Sequence, residues 1–376
     1  MSNILNKLQQ KLAERAAQGN LRALKTSTGL IDFCSNDYLG LARSEKLREL
    51  ISQEEDKYKS LPLGATGSRL LSGNHPLFEE LERIIAAYHK GEAALLFNSG
   101  YMANVGLLSA LPQRGDTVFY DEASHASMKD GLRLSFAKSY SFKHNDVADL
   151  QQKLKHATGQ IYIVVESVYS MDGDKAPLEE LAILCDEHNA ALIVDEAHAV
   201  GLYGEKGEGL TAALGLQDKV FAQVITYGKA MGNHGAAIVG PKVLREFLIN
   251  YSRAFIYTTG LPTHTLLALK CAYSLLPQLQ HERERVKQLA AQLYSQFNTI
   301  RGIRCTPADS VILSVFKEDA AQLKPLALAL QQQGFDVRPV LSPTVPEGKE
   351  RLRVIVHVYN TEEEIVGLVQ AIANHL

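Results

Sequence analysis

A lysine between small residues, Thr226-Tyr227-Gly228-Lys229-Ala230-Met231-Gly232, directly follows the apolar run Phe221-Ala222-Gln223-Val224-Ile225. An amine at the end of a buried strand can attack a carbonyl carbon. On local sequence alone, a surface-turn lysine is the more ordinary reading, because lysine is seldom buried without a partner. Other strand ends upstream also carry reactive side chains. Asp195 closes the run Ala191-Leu192-Ile193-Val194 and is followed by Glu196-Ala197-His198. His125 lies in Asp121-Glu122-Ala123-Ser124-His125-Ala126-Ser127, where it could lie flat on an aromatic ligand or simply cap the next helix. Asn98-Ser99-Gly100-Tyr101-Met102 is a small-residue turn that opens a helix, a place where free backbone N–H groups face an anion. Glu166-Ser167-Val168-Tyr169-Ser170-Met171-Asp172-Gly173-Asp174 gathers polar residues before an Asp-Gly turn and fits a binding loop or a plain turn.

The letters Asp195-Glu196-Ala197-His198 also occur in helicase-type ATPases, but that chemistry needs a GxxxxGK[ST] phosphate loop, and the chain has none. A second combination accounts for more of the residues. A strand-end carboxylate can pair with a protonated pyridine nitrogen, a lysine can form a Schiff base with an aldehyde, and a helix start can hold a phosphate. These are the protein parts of a pyridoxal phosphate site.

The elements that would position these residues alternate. Strand-like runs fall at Ala93–Phe97, Thr117–Tyr120, Ile161–Glu166, Ala191–Asp195, Phe221–Tyr227 and Ala236–Val239. Helical periodicity falls near Met102–Leu111, Ser127–Leu134, Leu178–His188 and Lys242–Asn250. Near-continuous apolar strands between helices predict an α/β fold with a mainly parallel sheet, buried on both faces, whose ligands lie beyond the strands' carboxyl ends. The pattern then changes to a long helical region at 265–300, a strand near Val311–Val315, a helix near Leu323–Gln332, a strand near Leu352–Val356 and a closing helix at Glu362–Leu376. This predicts three parts: an N-terminal segment 1–45 with an amphipathic helix whose stripe of Ile4, Leu5, Leu8 and Leu12 packs on the body, a large α/β domain 46–260 and a small α+β domain 261–376. The net charge of -3 gives no reason to expect nucleic acid or an anionic membrane as partner. Four cysteines far apart make neither a disulfide frame nor a metal site, and no run of 18 apolar residues occurs, so the expected setting is cytoplasmic.

The ordered motifs resemble those of the α-oxoamine synthases, a family of fold-type I pyridoxal phosphate enzymes. They are NDYLGL at 36–41, SRLLSGNH at 68–75, NSGYMAN at 98–104, SHAS at 124–127, SMDGD at 170–174, DEAH at 195–198, TYGKAMG at 226–232 and PTVPEG at 343–348. The resemblance implies roles. Lys229 would carry the cofactor and take the amino acid's Cα proton, and Asp195 would hold the pyridinium nitrogen. His125 would stack on the ring, His198 and Ser170 would lie near its hydroxyl, and Gly100, Tyr101 and Thr226 would hold the phosphate. Arg353 would bind the amino acid's carboxylate. Asn36, the Gly64–Arg69 loop and Thr258 or Thr259 would reach the site, some from the second subunit of a homodimer. The implied activity joins an amino acid to an acyl-CoA or acyl-carrier-protein thioester with loss of CO₂. The compact length resembles the member that uses L-alanine and a pimeloyl thioester, with Arg22 and Thr344 near the acyl chain. The chain departs from that member's pattern in three places: Leu341-Ser342 where it has Arg-Pro, Ala199 where glycine is usual, and Glu208 where arginine is common. Arg338 stands three residues before Leu341.

Overall fold

The computed structural model describes residues 2–19, 21–24, 26, 29–307, 310–317, 319–342 and 344–375. Pro343 of the 343–348 motif and Leu376 lie outside the described residues. The strands, in chain order, are β1 (Ile31–Asp32), β2 (Ala93–Phe97), β3 (Thr117–Asp121), β4 (Lys138–Phe142), β5 (Ile161–Glu166), β6 (Ala190–Asp195), β7 (Ala222–Thr226), β8 (Ala236–Gly240), β9 (Ile303–Cys305), β10 (Ile312–Lys317), β11 (Phe335–Asp336), β12 (Arg338–Val340) and β13 (Arg351–Ile355).

Seven strands form one sheet in the order β2-β8-β7-β6-β5-β3-β4. β8 is antiparallel to both of its neighbours, and the remaining pairs are parallel. The apolar runs have a simple cause. Successive side chains of a strand point to opposite faces, and here each face meets its own core. Ile163 and Val165 of β5 join one cluster while Tyr162 and Val164 join the other; Leu192 and Val194 of β6 part from Ile193 in the same way. β4 escaped the sequence reading because it is an edge strand. Of Lys138–Phe142 only Phe142 is buried, so the segment carries no apolar run, and its lysine suits an unpaired edge.

A second, antiparallel sheet has the order β12-β13-β10-β9, and β1 pairs in parallel with β11. The expected long helix at 265–300 is two helices, Thr263–Leu275 and Gln280–Phe297, joined by a short 3-10 turn that contains Pro277. The charged stretch 281–287 of the second helix is partly buried. Arg283 is buried and donates to the carbonyls of Leu276 (2.9 Å) and Glu205 (2.8 Å). The N-terminal helix Ser2–Ala17 forms, but Ile4, Leu5, Leu8 and Leu12 remain more than half exposed, so its stripe does not pack on the body of its own chain.

Arg69 of the glycine-rich loop is an internal ion-pair member. Its guanidinium bonds Glu82, which also takes Arg245 at 2.7 Å and the Leu96 backbone N–H of β2 at 2.9 Å. Glu82 thus ties the helix Pro76–Tyr88 to the strand that leads into the Ser99-Gly100 turn. Removing one member of a buried pair leaves the other charge uncompensated. Glu82→Ala should therefore lower the unfolding free energy of the cofactor-free protein by about 3 kcal/mol in urea titrations, since Glu79 at 3.6 Å would be the one carboxylate left to the buried Arg69 among the described residues.

Candidate active site

The parallel strands β3, β5, β6 and β7 end at Asp121, Glu166, Asp195 and Thr226, and register places Glu166 beside Asp195. Beyond these ends lies a cavity of about 410 Å³. Asn36, Gly100, Tyr101, His125, Ser170, Asp195, His198, Thr226, Lys229 and Arg353 all line it. These are ten of the twelve residues singled out from sequence. The other two, Arg22 and Thr344, line a second cavity of about 430 Å³ that shares no lining residue with the first. Thr258 and Thr259 instead accept hydrogen bonds from Asn98 at 2.9 Å and do not line the main cavity.

Lys229 sits in the connection from β7 to the antiparallel β8. Asn233 N–H donates to the Tyr227 carbonyl (2.7 Å) and Tyr227 N–H to the Gly235 carbonyl (3.1 Å), which closes the turn. Gly232 holds φ at +58°, and a Cβ there would lie 2.1 Å from the Ala42 backbone nitrogen, so the turn seats directly on the segment after NDYLGL. The half-buried Lys229 amine has one described hydrogen-bond partner, Thr226 Oγ1 at 3.4 Å. Burial draws its pKa below the usual lysine range, against the opposing charges of Asp195 and Glu166. The shift favours the uncharged, nucleophilic form of the amine.

Asp195 is buried and held at both oxygens: Oδ1 accepts from Ala197 N–H (2.9 Å) and Oδ2 from Asn104 Nδ2 (2.7 Å). Burial, then the charges of Lys229 and Arg353, keep His198 far below the usual imidazole range, so it is neutral. Its Nδ1 lies 2.6 Å from the Tyr38 hydroxyl, which also bonds Asn36. Arg353 on β13 donates to the Ser170 carbonyl (2.7 Å) and to Asn36 Oδ1 (3.1 Å). Glu196 of the DEAH letters faces away from this chemistry. It accepts from Ser167 Oγ, Leu210 N–H and Thr211 N–H, and so caps the short helix Leu210–Ala213.

The residues fit pyridoxal phosphate. Ser99 caps the helix Gly100–Ala110, whose N-terminus opens on the cavity. A Cβ on Gly100 would lie 2.5 Å from Thr226 Cγ2, so only glycine lets helix start and β7 end close on one small anion. Carboxylate, amine and helix start are the donor set that the ring nitrogen, aldehyde and phosphate require.

Four residues that matter here were not singled out as site residues from sequence. Glu166 accepts from the backbone N–H groups of His125 (2.7 Å) and Ser170 (3.3 Å); burial and then the charge of Asp195 push its carboxyl up to about 8. Asn104 and Ser127 fall inside the NSGYMAN and SHAS motifs, so the signal was present. His144 fell in no motif. It lies between Asp121 Oδ1 (2.9 Å) and Asp174 Oδ2 (2.7 Å) and thereby fastens the 170–174 loop, whose far side bonds Arg351, Arg353 and Ser314.

Comparison with known proteins agrees with this geometry. Residues 28–372 match the family model "Aminotransferase class I and II". An 8-amino-7-oxononanoate synthase of Emericella nidulans is 39% identical over 400 residues, covering 99% of this chain and 94% of that protein. A serine palmitoyltransferase from S. paucimobilis, solved with a bound PLP-myriocin aldimine, superposes with a TM-score of 0.89 at 27% identity, covering 99% and 97% of the two chains. An 8-amino-7-oxononanoate synthase from Francisella tularensis superposes with a TM-score of 0.79 at 29% identity, covering 92% and 97%. Among the described residues, no helix is long and apolar enough to cross a membrane.

The His144 clamp has a pH signature. Burial opposes its charge, but the hydrogen bonds and charges of Asp121 and Asp174 outweigh burial and raise its pKa to about 10 from 6.5. A raised folded-state pKa contributes stability that is complete below about 6.5 and is lost as pH rises through about 10. His144→Gln should destabilise the cofactor-free protein by about 2–3 kcal/mol below that window, from two charge-assisted hydrogen bonds. The difference from wild type should shrink to near zero above it, as read by urea titrations across pH.

Proposed function

The chain belongs to the class I and II aminotransferase family and, within it, to the pyridoxal-phosphate-dependent α-oxoamine synthases; from that premise we propose that it condenses L-alanine with a pimeloyl thioester to give 8-amino-7-oxononanoate, CO₂ and the free thiol. The convergence of Lys229, Asp195 and Arg353 on one cavity carries the reaction type. The product named for the relatives guides the choice of substrates. Its nine-carbon chain divides into the two carbons that alanine keeps after losing its carboxyl and the seven of a pimeloyl group. The second cavity supports that division. Leu21, Ala327, Leu328 and Leu341 give it an apolar wall, and Arg15, Arg22 and Lys324 bring cations. A chain that ends in a carboxylate suits such a lining; a plain alkyl chain would leave those cations against methylene groups.

When bound, pyridoxal phosphate would supply an aldehyde for the amine and a ring that withdraws electron density from the amino acid's Cα. Lys229 would hold it through Nζ, Asp195 would keep the ring nitrogen protonated, and Gly100, Tyr101 and Thr226 would hold the phosphate. His125 would cover the ring, with His198 and Ser170 near its hydroxyl. Arg353, steadied by Asn36, would receive the alanine carboxylate. With alanine bound, the Lys229 amine would take the Cα proton. A bond then forms from Cα to the thioester carbonyl carbon, the C–S bond breaks and the thiolate leaves. The carboxyl departs as CO₂, and a proton returns to Cα.

A homodimer with shared active sites is part of the reading. Leu63 and Leu71 flank the Gly64–Arg69 loop and are 88% and 87% exposed, a level that a partner surface would relieve. Leu71→Asp should shift the sedimentation coefficient from dimer towards monomer; a monomeric wild-type protein would refute the assembly.

Lys229→Ala should retain no cofactor after borohydride treatment and denaturation, and its turnover should fall by at least about a thousandfold. Alanine, glycine and serine offered with pimeloyl, acetyl, succinyl and palmitoyl thioesters should release CO₂ fastest for alanine with pimeloyl. Preference for serine with palmitoyl would overturn the substrate assignment.

A further inference from the structure

Two helices meet beneath the cavity floor. Gly100–Ala110 carries Asn104, and Ala126–Leu134 carries Ser127. They approach closely because position 131 is glycine: a Cβ there would lie 3.0 Å from the Asn104 carbonyl oxygen. Asn104 and Ser127 are both buried, and one amide joins two parts of the site. Asn104 Nδ2 lies 2.7 Å from Asp195 Oδ2 and 3.0 Å from Ser127 Oγ. Ser127 Oγ lies 2.8 Å from His125 Nδ1, and the Ser127 backbone N–H points at the same ring nitrogen at 3.3 Å.

The donors and acceptors in this chain can be assigned from chemistry alone. A carboxylate oxygen only accepts, so Asn104 must present its NH₂ to Asp195. An amide nitrogen has no lone pair to offer, so its second hydrogen goes to Ser127 Oγ. The Ser127 hydroxyl, accepting there, has its own hydrogen left for His125 Nδ1. The backbone N–H of Ser127 is a donor in any state. Two donors aimed at Nδ1 leave no room for a proton on it. A ring with Nδ1 unprotonated is neutral and carries its single proton on Nε2, and burial, which draws the His125 pKa below the usual imidazole value, acts in the same direction. Nε2 has no hydrogen-bond partner among the described residues, and the ring lines the cavity.

We infer that Asn104 and Ser127 are positioning residues that fix His125 as the Nε2–H tautomer and tie that choice to the orientation of the Asp195 carboxylate. The consequence for the reaction is specific. A ring nitrogen that already bears a proton can hold an acceptor oxygen of a ligand but cannot take a proton from one. His125 is thereby removed as a competing base at the cavity, and proton removal is left to Lys229. The inference goes beyond the proposed substrates and holds for any amino acid and thioester.

The test is ¹⁵N NMR of the histidine rings in the purified holoenzyme, repeated after the cofactor is removed, with His125 assigned by its loss in His125→Asn. Wild-type protein should show Nδ1 unprotonated and Nε2 protonated in both forms near neutral pH. Ser127→Ala should move both resonances towards the averaged values of a ring that exchanges tautomers, and Ser127→Thr, which keeps the hydroxyl, should restore the wild-type pattern. Asn104→Leu should give the same averaging and also weaken pyridoxal phosphate binding by about tenfold in equilibrium titrations, because Asp195 Oδ2 loses its anchor. A proton found on Nδ1 in wild type, or a Ser127→Ala spectrum identical to wild type in a protein with native circular dichroism, overturns the inference. None of these measurements uses a thioester, so an error in the assigned substrate would leave them unchanged.

Discussion

Two buried carboxyl groups, Asp195 and Glu166, stand side by side at the ends of neighbouring parallel strands, and much of the site exists to make that arrangement tenable. Like charges in a water-poor place raise each other's energy. The protein answers differently for each. Asp195 takes an N–H donor at each oxygen. Glu166 is pushed up to about 8 and takes the backbone N–H groups of His125 and Ser170. The Arg353 guanidinium brings a fixed positive charge to the cavity side. Because the carboxyl partners are the segments that carry His125 and Ser170, holding the two acids also sets two walls of the cavity.

The same economy governs the lysine. A flexible side chain becomes a defined reactant only if its backbone is fixed, and the β7–β8 turn is fixed from both sides. Hydrogen bonds close it internally, and Gly232 lets it rest on the Leu41–Ala42 backbone. The NDYLGL segment therefore does two jobs. It supports the turn from below, and it contributes Asn36 and Tyr38 to the groups around Arg353 and His198.

Arg353 comes from the four-stranded sheet, far along the chain from everything else in the cavity. What brings it in is the 170–174 loop. Its carbonyls at Ser170 and Met171 receive Arg353 and Ser314, Asp172 receives Arg351, and His144 grips Asp174 from the opposite side. This loop is the seam between the two sheets, so its rigidity decides how precisely the Arg353 guanidinium is placed in the cavity with Lys229 and Asp195.

The strand ends were legible in the amino-acid sequence because parallel strands buried on two faces must be apolar throughout. A charged side chain that closes such a run, as Asp195 closes β6, therefore stands out. The order of the motifs was enough to name the cofactor chemistry and ten residues of the main cavity. Three kinds of feature depended on tertiary structure. β4 carries no periodic signal, because an edge strand with one buried residue needs none. Arg69, in a loop that the motifs place near the site, is an internal ion-pair member, since only packing decides which carboxylate a guanidinium reaches. The hydrogen-bond chain from Asp195 through Asn104 and Ser127 to His125 joins residues far apart in sequence, and no local pattern encodes a contact made by the crossing of two helices at a glycine. Spacing along the chain determines which groups reach the end of which strand; the crossing of elements determines which way each group's protons point.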